Sequence, residues 1–117
     1  MTAPNIINVS SIYGKSNVQI MGTVANTIIS NANSSNSLVK VTSLYISNID
    51  GTQTASADID VYRGNVAYRI ARQVSVPPQA ALDIINKTIY LEEGDSLRLT
   101  ANANNRLEAV SSYEIIS

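Results

Sequence analysis

The chain has 117 residues, of which 15% are charged, and a formal net charge of −1. That length serves one core, and the charge lacks the clustered Lys and Arg that bulk nucleic-acid binding needs. His and Cys are both absent. This excludes disulfides, thiolate zinc sites and cysteine nucleophiles, and removes the commonest general base and metal ligand.

The apolar residues are almost all Ile, Val, Leu and Ala, with six Tyr and no Phe or Trp. β-Branched side chains favour strands, and the many Asn, Ser and Thr favour turns and solvent-facing strand positions. No apolar run approaches the roughly 18 residues of a membrane span. The opening Met1-Thr-Ala-Pro-Asn5 has no basic region ahead of an apolar core, so no signal peptide is expected.

Residues 1–21 read as an arm or edge strand, with an apolar patch at Ile6, Ile7, Val9, Ile12 and Tyr13 and an alternating piece at 18–21. Residues 22–117 read as a β-sandwich domain. Within it, 23–30 is a strand and the Asn/Ser-rich 31–37 is a loop. Residues 38–49 give the longest strand signal, but its phase slips near Thr42 and Ser43. Val39 and Val41 share one parity, Leu44 and Ile46 the other. A β-bulge explains that slip, and so does burial of both faces.

A turn opened by Asp50-Gly51 leads to 57–63, a cleanly alternating strand with Ile59 and Val61 inward and Asp58, Asp60 and Tyr62 outward. Gly64-Asn65 is a two-residue connection of type II′ or similar. The strand that follows places Val66, Tyr68 and Ile70 on one face and Arg69 on the other, completing a hairpin over 58–72. Pro77-Pro78 ends the next short strand. Residues 80–85 read as a strand in preference to a helical turn.

The stretch 88–117 reads as a short lead-in strand, a turn at Glu92-Glu93-Gly94-Asp95, and two strands joined by Ala103-Asn104-Asn105-Arg106 as a hairpin. Leu97, Leu99 and Ala101 alternate in the first of these strands, and Leu107 and Ala109 in the second. About eight to nine short strands with no helical periodicity point to an all-β sandwich, Ig-like or jelly-roll.

Candidate chemistry is sparse. Glu92, Glu93 and Asp95 could supply oxygens to calcium, but they lack the spacing of a calcium loop and read as a solvated turn. Asp58 and Asp60 share a strand face and read as surface charge balance. Arg63, Arg69 and Arg72 either contact a partner or pair with Asp58 and Asp60. The tyrosines suit core or interface packing better than a sugar site, which would more usually contain Trp. No Gly-x-Ser-x-Gly elbow or phosphate loop is present. Neither an enzyme, a cofactor nor a metal is expected.

Four stretches resemble small virion structural proteins of tailed bacteriophages, particularly phages of cyanobacteria. They are Asn5-Ile-Ile-Asn-Val-Ser-Ser-Ile-Tyr-Gly-Lys15, Val39-Lys-Val-Thr-Ser-Leu-Tyr-Ile-Ser-Asn-Ile-Asp-Gly51, Ile89-Tyr-Leu-Glu-Glu-Gly-Asp-Ser-Leu-Arg-Leu99 and Val110-Ser-Ser-Tyr-Glu-Ile-Ile-Ser117. The resemblance implies a non-enzymatic sandwich built into the particle as a capsid decoration (cement) protein. Such proteins are commonly trimers on the shell, made in the host cytoplasm, with the major capsid protein or other virion proteins as partners. Neither nucleic acid nor membrane is implied. Interface residues are expected at Ile6, Ile7, Val9, Ile12 and Tyr13 of the N-terminal segment, and at Tyr62, Arg63, Tyr68, Arg69 and Arg72 of the middle hairpin. A neck or tail adaptor, a tail-attached Ig-like module and a carbohydrate-binding module are the alternatives.

Overall fold

The computed structural model describes residues 11–85 and 87–117. Wherever apolar and polar side chains alternate, the backbone is extended, and nine strands result. They are β1 (Ile12–Ile20), β2 (Asn26–Ser30), β3 (Leu38–Asn48), β4 (Ala55–Arg63), β5 (Val66–Val76), β6 (Ala81–Ile85), β7 (Ile89–Leu91), β8 (Ser96–Ala101) and β9 (Leu107–Ile116). The described residues contain no helix. The segment 80–85, open to either reading from sequence, is a strand.

All pairings are antiparallel. Sheet I runs β1-β9-β3-β6, with β7 also on β3; sheet II runs β2-β8-β4-β5. β6 and β7 lie end to end along one edge of β3, opposite 44–47 and 39–41. Counted as one interrupted strand, they leave eight positions in two four-stranded sheets. Their order, first-eighth-third-sixth and second-seventh-fourth-fifth, is that of a jelly roll. Of the two sandwich types open from sequence, the topology is the jelly roll.

The inner faces interdigitate Leu44, Ile46, Leu107 and Ala109 of sheet I with Ile59, Leu97 and Leu99 of sheet II, all buried. Each such Leu or Ile contributes about 1.5–3 kcal/mol by leaving water. The phase slip in β3 is a bulge. Val41 pairs with Tyr113 and Ser43 with Ser112, leaving Thr42 over. Val41 and Leu44 are both fully buried as a result. Thr42 Oγ1 donates to the Ser112 carbonyl at 3.0 Å, which occupies the hydroxyl at the irregularity.

Two expectations are corrected. β8 and β9 do not form a hairpin. β8 pairs with β2 and β4, β9 with β1 and β3, and the connection through Asn104 and Asn105 crosses from one sheet to the other. At Gly64-Asn65 both residues have positive φ, 58° and 62°, so the β4–β5 turn is type I′ and not II′. That hairpin itself is present, with Ala57 to Arg63 opposite Val74 to Val66 and two register shifts on the way.

Two buried asparagines hold the ends of β3. Asn31 Nδ2 donates to the carbonyls of Ser37 (2.8 Å) and Leu91 (3.0 Å), and its Oδ1 accepts from Ser35 Oγ at 2.6 Å. At the other end Asn48 Nδ2 donates to Gln53 O (2.8 Å) and Val76 O (2.9 Å), and Oδ1 accepts the Asp50 N–H at 2.9 Å. Both side chains satisfy backbone groups of the adjoining loops and strand ends, and the Leu91 and Val76 carbonyls among them are buried. Asn48→Ala is expected to cost about 3 kcal/mol by stranding two carbonyls and an amide, read as the midpoint shift in urea. Ser111 has the opposite problem. It is fully buried on β9 and its Oγ has no hydrogen-bond partner. Ser111→Ala is therefore expected to raise stability by about 1 kcal/mol in the same titration.

Candidate interaction surface

β1 lies on β9 in an unbroken register from Ile12 opposite Ile116 to Ile20 opposite Glu108. Its even residues share the outer face of sheet I, because Val18 sits beside Val110, which in turn sits beside Tyr45 of β3. Its odd residues turn toward the sandwich interior, where Asn17 Nδ2 donates to the Ile28 carbonyl of β2 at 2.6 Å. The outer face thus carries an apolar row across three strands. Val18 is 75% exposed, Tyr45 49% and Val110 43%, with Ile20 at 52% beside them. A shallow cleft of about 410 Å³ runs along this row, walled by Val18, Ile20, Ser47, Glu108 and Val110. Patches of contiguous exposed apolar side chains mark interaction sites more often than scattered ones do.

Of the expected interface residues in the N-terminal segment, Ile12 and Tyr13 begin β1 and are exposed. Ile6, Ile7 and Val9 lie outside the described residues. Alternation in 18–21 pointed to a strand but not to which of its faces meets water, so Val18 and Ile20 were missed, as were Tyr45 and Val110.

The middle-hairpin residues divide between two surfaces. On the outer face of sheet II, Tyr62 lies under the Arg98 guanidinium, 4.0 Å from ring centre to Cζ. Arg98 Nε donates to Asp60 Oδ1 at 2.9 Å, which explains how an outward-facing aspartate is buried. Arg69 pairs with Asp58 at 3.5 Å. Arg72 is exposed and makes no ion pair among the described residues. Arg63 and Tyr68 instead face the open rim between the sheets. They border a cleft of about 340 Å³ with Val61, Ile89 and Tyr90. Of the two roles open for the arginines, charge pairing holds for Arg69 with Asp58, while Asp60 takes Arg98 and Arg63 takes neither.

Arg63 reaches the 92–95 turn. Its Nε donates to Asp95 Oδ1 (2.8 Å) and its Nη2 to Asp95 Oδ2 (2.5 Å), with Glu92 Oε2 3.0 Å from Nη2. Asp95 Oδ2 also accepts the Glu92 N–H at 2.8 Å. Asp95 is 2% exposed. Burial pushes its pKa up, but the Arg63 and Glu92 hydrogen bonds and the Arg63 charge outweigh that, and the carboxyl is held below the usual range. The Asp95 hydrogen bonds keep the Arg63 guanidinium more firmly protonated than usual. Gly94 completes the turn at φ 92°, where a Cβ would come within 2.6 Å of Asn33 Oδ1. Asp95 is thus spent on a structural clamp. Among the described residues no group of three or more acidic, His or Cys side chains could hold a metal ion. No helix there is long and apolar enough to cross a membrane.

No protein-family model matches the chain, and no curated protein matches it. Solved structures do. The chain aligns over its full length, and over 96% of the other, with a protein of Bacillus endospore appendages described as a novel family of disulfide-linked pili, at 13% identity and a TM-score of 0.57. It also matches the Eiger TNF of S. frugiperda, at 14% identity over 86% of this chain and 68% of that one, with a TM-score of 0.37. A third match is the CBM22-1 xylan-binding domain of Paenibacillus barcinonensis Xyn10C, at 17% identity over 90% and 84%, with a TM-score of 0.28. The first shows an all-β fold of the same kind, shared end to end with the appendage protein.

Proposed function

We propose that this chain is a non-enzymatic structural protein of a virion, and that it serves there as a decoration protein binding and stabilising the head shell. The observation that carries the reading is the outer face of sheet I, where Val18, Ile20, Tyr45 and Val110 lie together in water. A surface of this kind suits docking onto another protein. The sequence resemblance to small phage virion proteins supports the same reading, and so does the fold shared with a protein that builds appendages. Having no Cys, this chain makes its contacts without the disulfides of those pili. Many identical weak contacts on a symmetric shell would add by multivalency. The partner is the major capsid protein or another virion protein, and the resemblance implies trimers. Purified chain mixed with expanded heads that lack it tests this. Co-sedimentation that saturates at a copy number set by the shell lattice is expected. Saturation at one ring per particle places the chain at the neck or tail, and absence of binding overturns the reading.

A further inference from the structure

We propose that two copies of this chain pair edge to edge through β1, antiparallel and centred on Ser16, to make one continuous sheet from two copies of sheet I. The inference does not rest on the virion reading.

A sheet edge exposes a row of unpaired N–H and C=O groups, and proteins that stay monomeric blunt such edges by shortness, bulges, charges or proline. The sandwich has four edges. β2 is five residues long with a register shift, and β6 and β7 have five and three with a break between them. β5 is long, but two register shifts interrupt its pairing with β4 and it carries Arg69 and Arg72. β1 has the fewest of these protections. It is nine residues long, follows β9 with no shift, has no proline and carries one charge, Lys15. Among the described residues nothing pairs with its outer edge.

The free groups can be assigned. Ser11 and Ser117 exchange both backbone hydrogen bonds, at 2.9 and 3.0 Å, and Met21 N–H donates to Leu107 O at 2.8 Å. Antiparallel ladders alternate, so the odd residues of β1 bond to β9. The even residues Ile12, Gly14, Ser16, Val18 and Ile20 therefore aim both groups at the open edge. A second β1 bonds there only if its own even residues come opposite.

Side chains choose the register. Centring on Ser16 sets Ile12 against Ile20, Gly14 against Val18 and Ser16 against Ser16. All are apolar or small on the outer face, and all five even residues are paired. Lys15 then faces Asn17. Shifting the centre to Lys15 would oppose the two lysines and lose a pair at the end. The favoured register also joins the two apolar rows through Val18 and Val110 into a single outer surface. The contact is isologous, with a two-fold axis through Ser16. It is therefore distinct from any three-fold contact that a trimer would use.

Light scattering on the full chain as concentration rises is the test. It should give a mass approaching twice the 12.5 kDa of one chain. Ser16→Pro removes an N–H that faces the open edge and no bond to β9, so it should return the mass to one chain at unchanged melting temperature. Val18→Lys, at a highly exposed position, should do the same. The chain's own lack of thiols gives a register test. Opposed residues in a hydrogen-bonded pair lie about 5.5 Å apart between Cα atoms, within disulfide reach. Ser16→Cys should therefore oxidise to a covalent dimer while Val18→Cys, opposed to Gly14, should not. A chain that stays at one-chain mass and does not cross-link at Ser16→Cys overturns the proposal. So does an oligomer that survives both Ser16→Pro and Val18→Lys.

Discussion

Leu99→Asp is expected to unfold the domain. Leu99 sits on β8 between Asn26 of β2 and Ile59 of β4, with its side chain buried against sheet I. Replacing it removes about 2–5 kcal/mol of core burial and packing. A carboxylate enclosed there without a partner adds several kcal/mol more. The sum, about 5–10 kcal/mol, is comparable with the roughly 5–15 kcal/mol that separates a typical domain from its unfolded state. Far-ultraviolet circular dichroism should show loss of the β signal at 25 °C. Leu99→Ala should stay folded with a lower melting temperature, which separates loss of packing from burial of charge. Val110→Asp, on the exposed outer face, should fold normally. A Leu99→Asp chain that melts cooperatively like the parent would show that the inner face has been assigned wrongly.

The second large effect is expected at Asp95. Removing its carboxylate in Asp95→Ala takes both hydrogen bonds from Arg63 and the acceptor of the Glu92 N–H. Arg63 is half exposed and keeps Glu92, so it is not left as a buried charge. The cost is therefore put at about 3 kcal/mol, below that of a wholly buried pair broken on one side. For a domain of this size that lowers the melting temperature by roughly 10 °C. The pH dependence has a definite sign. The folded-state pKa of Asp95 is depressed, so its stabilisation is fully present above the unfolded value of about 3.9 and is lost as pH falls through the folded value. Denaturant titrations from neutral to acid should show the parent losing stability in that acid window. Asp95→Asn should start lower and lose less. An Asp95→Asn chain with the same acid slope as the parent would remove Asp95 from the account.

Much of the fold is written in local periodicity. Alternation located β4 and β8, and the parity change between Val41 and Leu44 located the bulge at Thr42. Periodicity of two reports which side chains share a face, and it says nothing about which strand lies alongside. That is why 96–101 and 107–116 read as a hairpin although they belong to different sheets. The buried polar groups were hidden for a related reason. Asn31 sits in a stretch whose composition is that of a loop, and its burial depends on Leu91, 60 residues away. Asp95 looked like part of a solvated acidic turn because its partner Arg63 lies 32 residues earlier. The interaction surface was the least legible. On β1 the apolar parity is the outward one, and alternation alone does not tell a docking face from a core face.

The pairing of β1 with β9 has a consequence for how the chain folds. Strand β9 lies between β1 and β3 in sheet I, so neither neighbour has its full partner until residues 107–116 are available. The β4–β5 hairpin is the local exception. That hairpin can therefore form before sheet I closes. Closure over such sequence distances is slow, on the order of milliseconds to seconds. Throughout that interval the inward residues of β3 face water, so an unfinished chain presents an open apolar strand to any other unfinished chain it meets.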